Sequence, residues 1–223
     1  CVLDSWVNYW TRFGAECDQR FLSDYICVMD EMAQREMIKE GFPNDRIVVT
    51  GNPYFDSFID GININKEEAG RILFISQPLK QAKAISATNL PYDEYVVLED
   101  FIDVFNKLTS EKNKKVVIRL HPREKNGKFD ELMKINNFFY DNIKDIEDSI
   151  SHSDLIVGMN SMALVQAAVA GKIVISYQPH LLGGDALITN KYNLSKLITS
   201  KKELLSEMKN YFAGNLNKSK ITE

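Results

Sequence analysis

The chain has 223 residues, 44% of them hydrophobic and 26% charged, and its 27 Lys and Arg against 31 Asp and Glu give a net charge of −4. Such a composition supports a buried core and excludes a disordered chain. Mild acidity without a Lys/Arg-rich stripe excludes a nucleic-acid binder, and no apolar run reaches the roughly 18 residues of a membrane-spanning helix. At roughly 150 residues per domain, the length fits one domain plus a fragment, or two small domains. The three Cys (Cys1, Cys17 and Cys27) show no CxxC spacing and leave an odd thiol. That points to a reducing, cytoplasmic compartment and away from a disulfide scaffold or a zinc site.

Cys1, Val2, Leu3 and Asp4 open the chain without Met, leader or helix cap, as if inside a strand, so the expectation is the later part of a longer protein. The aromatic-rich stretch 6–13 reads as core or interface, with Asp4 and Asn8 as candidates to face a cleft between two domains. Residues 25–29 form a short apolar run of the kind that makes a buried strand. Asp30 is the expected N-cap of the next helix, with Glu31 in a first turn that favours acidic side chains. Ala33 and Met37 share a helix face, Gly41 suits the C-terminal cap, and Pro43 prevents continuation. Residues 46–50 are the next strand, closed by Gly51, Asn52 and Pro53. Strand, helix and strand at this spacing predict a βαβ unit and a parallel sheet. Residues 51–56 read as a turn and the start of an interdomain hinge.

The polar, Gly-bounded segment 61–70 marks a boundary, dividing the chain into 1–60 and 61–223. Beyond it, strands are predicted at 71–76, 115–120, 138–140, 154–158 and 172–177. Helices are predicted at 95–108, where Val97, Phe101 and Val104 share a face, and at 129–134, 161–170 and 201–212. The architecture expected is α/β, a mostly parallel sheet with helices on both faces.

In open parallel sheets, ligands bind beyond the carboxyl ends of the strands. The segments that follow the strands are Ser76-Gln77-Pro78, His121-Pro122-Arg123-Glu124, Asn160-Ser161 and Gln178-Pro179-His180, so two of the three His fall there. His121 and Arg123 offer a hydrogen-bond donor and a permanent cation suited to a phosphate. Asn160 and Ser161 stand at a helix start, whose free N–H groups and partial positive charge also favour a phosphate; both are ordinary cap residues as well. His152 lies at the amino end of its strand and reads as structural. No G-x-G-x-x-G, Walker A, H-E-x-x-H or G-x-S-x-G motif is present, which disfavours a dinucleotide enzyme, a P-loop NTPase, a zincin and an α/β-hydrolase.

Taken together, these motifs over about 22–200 resemble the GT-B glycosyltransferases and their relatives, which pair two facing Rossmann-like domains. Gly41-Phe42-Pro43 through Gly51-Asn52-Pro53 resembles the passage closing the amino-terminal domain. Ser153-Asp154-Leu155-Ile156-Val157-Gly158, Asn160-Ser161, Ala167-Ala168 and Gly171-Lys172 resemble the donor-site helix and its flanking strands. Ser76-Gln77-Pro78 with His121-Pro122-Arg123-Glu124 is similar to the bacterial sialyltransferases and polysialyltransferases, and less closely to polyol-phosphate polymerases of cell-wall synthesis. The resemblance implies donor-phosphate contacts at His121 and Ser161. Two departures stand out: Gln166 where the donor helix commonly carries a ribose-binding Glu, and Asn160-Ser161 where the sialyltransferase motif has paired Ser.

On this resemblance 1–60 is the tail and hinge of an amino-terminal Rossmann-like domain, and 61–223 is the carboxyl-terminal nucleotide-sugar domain. The function implied is a glycosyltransferase of surface-polysaccharide synthesis, of the CMP-sialic acid type. Asp4 and His121 are the catalytic candidates, and Ser76, Gln77, Arg123, Asn160, Ser161 and His180 the substrate-binding ones. The partners implied are a nucleotide-sugar donor and a glycan or lipid-linked acceptor, with peripheral membrane association of the full-length protein. No cofactor is implied, and no metal, since no Asp-x-Asp pair is present. Two other readings remain open: a UDP-sugar 2-epimerase-like enzyme, which shares the two-domain fold and the Gly-Asn hinge phrase, and a non-catalytic nucleotide-sugar-binding or assembly domain, to which Gln166 lends support.

Overall fold

The computed structural model of the chain describes residues 1–3, 6, 9–14, 19–62, 70–86, 90–108, 114–134 and 138–216. These residues form two compact units, Cys1–Asp60 and Gly61–Glu223.

In the first unit, α1 (Tyr9–Phe13) precedes β1 (Ile26–Val28), α2 (Glu31–Lys39), β2 (Ile47–Val49) and α3 (Pro53–Gly61). The predicted βαβ unit is present: β1 and β2 pair in parallel with Ile26 opposite Ile47, and Val2 forms an isolated parallel bridge to Cys27. Asp30 caps α2 by accepting the Ala33 N–H at 2.7 Å, while its other carboxylate oxygen accepts the Trp6 indole N–H at 2.6 Å. Ile26, Val28, Ala33, Met37, Phe42 and Ile47 form the core, on which Trp10 stacks over Phe42 with ring centroids 4.0 Å apart. The expected turn at 51–56 is instead the start of α3. Asn52 accepts the Tyr54 N–H at 3.1 Å, and Pro53, whose missing N–H costs nothing in a first turn, is pre-set for the helix.

The second unit runs β3 (Arg71–Ile75), α4 (Leu79–Ser86), α5 (Glu94–Lys107), β4 (Lys115–Arg119), α6 (Asp130–Met133), β5 (Phe138–Tyr140), α7 (Ile146–Ser151), β6 (Leu155–Gly158), α8 (Met162–Val169), β7 (Ile173–Tyr177), α9 (Ile188–Lys191), β8 (Lys196–Ile198) and α10 (Lys201–Phe212). Its strands form a sheet in the order β5-β4-β3-β6-β7-β8, every pair parallel. The mostly parallel α/β architecture is therefore as the sequence predicts. The short elements α4, α7, α9 and β8 were not expected: each is too brief to display a period against its flanking residues.

The two sheet faces follow from the period of two. Ile72, Phe74, Val116, Ile118, Leu155, Val157, Ile175 and Tyr177 meet Val97, Leu98 and Phe101 of α5 and Leu204 and Met208 of α10 in one continuous core. The opposite face receives α8, which packs on β6 and β7. It also carries Arg71, 4% exposed, whose guanidinium donates to Ser149 O of α7 at 2.8 Å and pairs with Asp141 at 2.9 Å. Asp141 is fully buried and also holds Arg119 at 2.7 Å. A buried arginine survives only with such partners.

The chain moves from β3 outward to β4 and β5, then returns beside β3 to make β6, β7 and β8. The direction of winding thus reverses between β3 and β6. At such a switch point, the loops leaving adjacent strands diverge to opposite faces and open a crevice beyond the carboxyl ends.

Candidate functional site

That crevice is present as a cavity of about 590 Å³, walled by the segments leaving β3 (Ser76, Gln77, Pro78, Leu79), β4 (Arg119, Leu120, His121, Pro122) and β6 (Asn160, Ser161, Met162), with Ile146 and Gln166. Its two sides are tied across the switch point. Gln77 donates through Nε2 to Asn160 Oδ1 at 3.1 Å, and the Asn160 N–H donates back to Gln77 Oε1 at 2.9 Å. Gly158 ends β6 where a Cβ would lie 3.0 Å from Ile75 O and 3.3 Å from Leu164, so the β3 carbonyl and the Leu164 side chain of α8 both lie closer to β6 than a larger residue permits.

Ser161 is the N-cap residue of α8, yet its hydroxyl caps nothing. The oxygen is buried and has no hydrogen-bond partner. A buried, unsatisfied hydroxyl costs about 1–3 kcal/mol, and here it stands at a helix start whose N–H groups attract anions. His121 contributes a second donor. The Arg123 N–H donates to its Nδ1 at 3.1 Å, so the neutral ring carries its hydrogen on Nε2.

Behind this wall lies a buried carboxylate. Glu124 is 1% exposed and accepts the His121 N–H at 2.7 Å, the Ser76 hydroxyl at 2.9 Å and the Lys128 ammonium at 2.6 Å. Lys128 also pairs with Glu94, 2% exposed, whose second oxygen accepts the Lys80 N–H at 2.8 Å. Burial alone would lower the Lys128 ammonium, but the hydrogen bonds and charges of Glu124 and Glu94 outweigh it and hold the group above the ordinary lysine range.

The structure places Ser76, Gln77, His121, Asn160 and Ser161 in one cavity wall, with the Ser76 hydroxyl directed to Glu124. Arg123 and His180 lie outside the cavity wall and are exposed. The reasons are local: the Glu124 N–H bonds His121 O at 2.8 Å and closes a turn with Arg123 at its outer corner. His180 follows β7 in left-handed backbone with φ 58°. The permanent cation at the wall is Arg119, missed because it ends an apolar strand and reads as the strand's polar terminus. Glu124 and Lys128 were missed as partners, although their i, i+4 spacing signals a pair. His152, as expected, is structural: it ends α7 with Nδ1 2.7 Å from Asp148 O. Asp4 and Asn8 lie outside the described residues. Among the described residues, no cluster of three or more His, Cys, Asp or Glu is arranged to hold a metal ion, and no helix is long and apolar enough to cross a membrane.

A doubly wound sheet of this order, with a crevice at its switch point, is the Rossmann-like arrangement of GT-B-type enzymes. Within that class, a family model for UDP-N-acetylglucosamine 2-epimerase matches residues 20–212, and the chain belongs to that family. A curated UDP-N-acetylglucosamine 2-epimerase of Methanococcus maripaludis is 23% identical over 121 residues, which are 52% of this chain and 33% of that protein. Among solved structures, the Methanocaldococcus jannaschii UDP-GlcNAc 2-epimerase in complex with UDP-GlcNAc and UDP matches with a TM-score of 0.59 at 16% identity, over 84% of this chain and 54% of that one. The Neisseria meningitidis UDP-GlcNAc 2-epimerase bound to UDP-GlcNAc gives 0.60 at 16%, over 92% and 58%. The chain therefore spans about a third of the curated relative's length and little more than half of these solved ones.

Family membership corrects the functional expectation. The main reading from sequence, a glycosyltransferase, is overturned by the family match, which backs the 2-epimerase alternative instead. The physical reason is that a strand-end His and a helix start suit a phosphate whatever bond changes beside it, so such motifs do not by themselves specify a reaction.

Proposed function

We propose that the chain is the nucleotide-binding part of a UDP-N-acetylhexosamine 2-epimerase, and that the cavity between β3 and β6 takes the diphosphate of the UDP-sugar. The observation that carries this is the buried, unpartnered Ser161 hydroxyl at the start of α8, in the same wall as the His121 ring. In this reading the Ser161 hydroxyl, the α8 N–H groups and His121 Nε2–H donate to phosphate oxygens, with the Arg119 charge beside them. The Gln77–Asn160 pair keeps the two loops at a fixed separation. Leu79, Leu120, Ile146 and Met162 supply apolar wall for the nucleoside.

Inversion at the sugar's C2 requires a proton to be taken from carbon and returned, which calls for positioned acids and bases. Among the described residues, the cavity wall holds no Asp or Glu, and His121 is its one imidazole. We therefore assign this cavity to binding and orientation of the nucleotide. Arg123 and His180, which lie outside the cavity wall, and Asp4 remain proposals.

The test is calorimetric titration of the chain with UDP and UDP-N-acetylglucosamine, followed by incubation of the full-length protein with the latter and NMR detection of the 2-epimer. Replacing His121 or Ser161 by Ala is expected to weaken UDP binding by about 10- to 100-fold, the worth of a hydrogen bond to a charged group. Unchanged affinity in both variants overturns the site assignment, and no 2-epimer from a UDP-binding protein overturns the reaction.

A further inference from the structure

We propose that Glu124 is a positioning residue that holds the His121 ring with its hydrogen on Nε2, ready to donate to the ligand; this rests on reading the cavity as a nucleotide-sugar site. The turn 121–124 is closed on itself. Pro122 has no N–H, and the three N–H groups that remain are all satisfied within the turn. That of His121 goes to Glu124 Oε2 at 2.7 Å, that of Arg123 to His121 Nδ1 at 3.1 Å, and that of Glu124 to His121 O at 2.8 Å. Nδ1 is thereby committed as an acceptor, and a neutral imidazole with an accepting Nδ1 carries its hydrogen on Nε2.

Glu124 gains this control because it is itself immobilised. Ser76 Oγ–H and the Lys128 ammonium both donate to its Oε1, at 2.9 and 2.6 Å, and Lys128 is shared with Glu94 at the start of α5. The turn after β4 is thus anchored to the end of β3 and, through Glu94 and the Lys80 N–H, to the start of α4. A carboxylate is required chemically. It presents an acceptor at each oxygen, whereas the amide of Gln presents one and turns an NH₂ toward either the His121 N–H or the Ser76 and Lys128 donors. E124Q is therefore expected to open the turn, release the Arg123 N–H and leave His121 in a mixture of tautomers.

The experiment uses the whole chain labelled with ¹⁵N at His, observed by NMR at about pH 8, above the ordinary imidazole range, with H121A identifying the signals. Wild-type His121 is expected as the Nε2–H tautomer and E124Q as a mixture. By calorimetry with UDP, E124Q is expected to weaken binding about tenfold, but less than about twofold further in the H121A background, because a residue acting through another is non-additive with it. Where E124Q gives no cooperative melt, E124D takes its place, keeping the charge but shortening the reach by one methylene. Wild-type His121 as the Nδ1–H tautomer overturns the proposal, as does an equal loss of affinity with and without His121. A wild-type chain that binds no UDP overturns the nucleotide-sugar reading alone, because the tautomer still decides the role of Glu124.

Discussion

Lys128 stands between two carboxylates that are almost wholly buried, Glu94 and Glu124, and is 13% exposed itself. Each carboxylate also accepts a backbone N–H, and Glu124 the Ser76 hydroxyl as well, and the group of three carries one net negative charge behind the cavity wall. On the other side, Arg71 and Arg119 share Asp141 and leave one net positive charge. Removing the central cation leaves two unpaired buried charges, and breaking a buried pair costs about 3–5 kcal/mol. K128M is expected to destabilise the chain by that amount in urea denaturation, and a loss below about 1 kcal/mol contradicts the burial argument. The same grouping explains which cation sequence reading selected. Arg123 sits beside His121 in sequence, but the closed turn leaves it in solvent, whereas Arg119 lines the cavity with its guanidinium held by the loop after β5, through Asp141, 22 residues away.

At the scale of elements, the site depends on three strand ends and one helix start meeting at the switch point. Gly158 is where this packing is tightest. A G158A substitution must push back the β3 carbonyl at Ile75 or the Leu164 side chain, and overpacking of this kind costs about 1–3 kcal/mol. Because the end of β3 and the start of α8 both wall the cavity, UDP affinity is expected to fall along with the urea midpoint; a stability loss with unchanged affinity contradicts the placing of the ligand beside these elements. The long elements here were legible in sequence. The α5 face of Val97, Phe101 and Val104 repeats at helical spacing, and the fully buried run of β3 reads as a central parallel strand. Residues 53–61 were not legible as α3, because Asn-Pro marks a turn and a helix start equally well, and the Tyr54 N–H bond to Asn52 decides between them.

Across the whole molecule, ionisation should make itself felt most at alkaline pH. Burial, reinforced by Asp185, raises the Tyr92 phenol, and burial with the hydrogen bond to Asp100 raises that of Tyr177. Lys128 is also held above its ordinary range. All three have folded-state values above the unfolded ones, so their contribution is complete below about pH 10 and is lost as the pH rises through the folded values. Urea midpoints are expected to be flat from about pH 8 to 10 and to fall above it, less steeply in Y177F than in wild type. A flat profile through about pH 11 contradicts the burial of these phenols.

Composition and periodicity alone determined that this chain has a buried core and a parallel α/β architecture, with candidate phosphate-binding residues grouped after its strands. These properties are local: a run of apolar residues, a cap or a strand end is set by neighbours within a few positions. The tertiary structure decided which strand-end residues share one cavity, because strand order, which sequence spacing does not encode, places β6 beside β3 and so joins Asn160 and Ser161 to Gln77 and His121. It also decided that Ser76 is bound to Glu124, that Arg119 replaces Arg123, and that the Ser161 hydroxyl is left buried without a partner. Each of these is a contact between residues far apart in the chain or a bond that a tight turn leaves unmade, and only the folded backbone determines either.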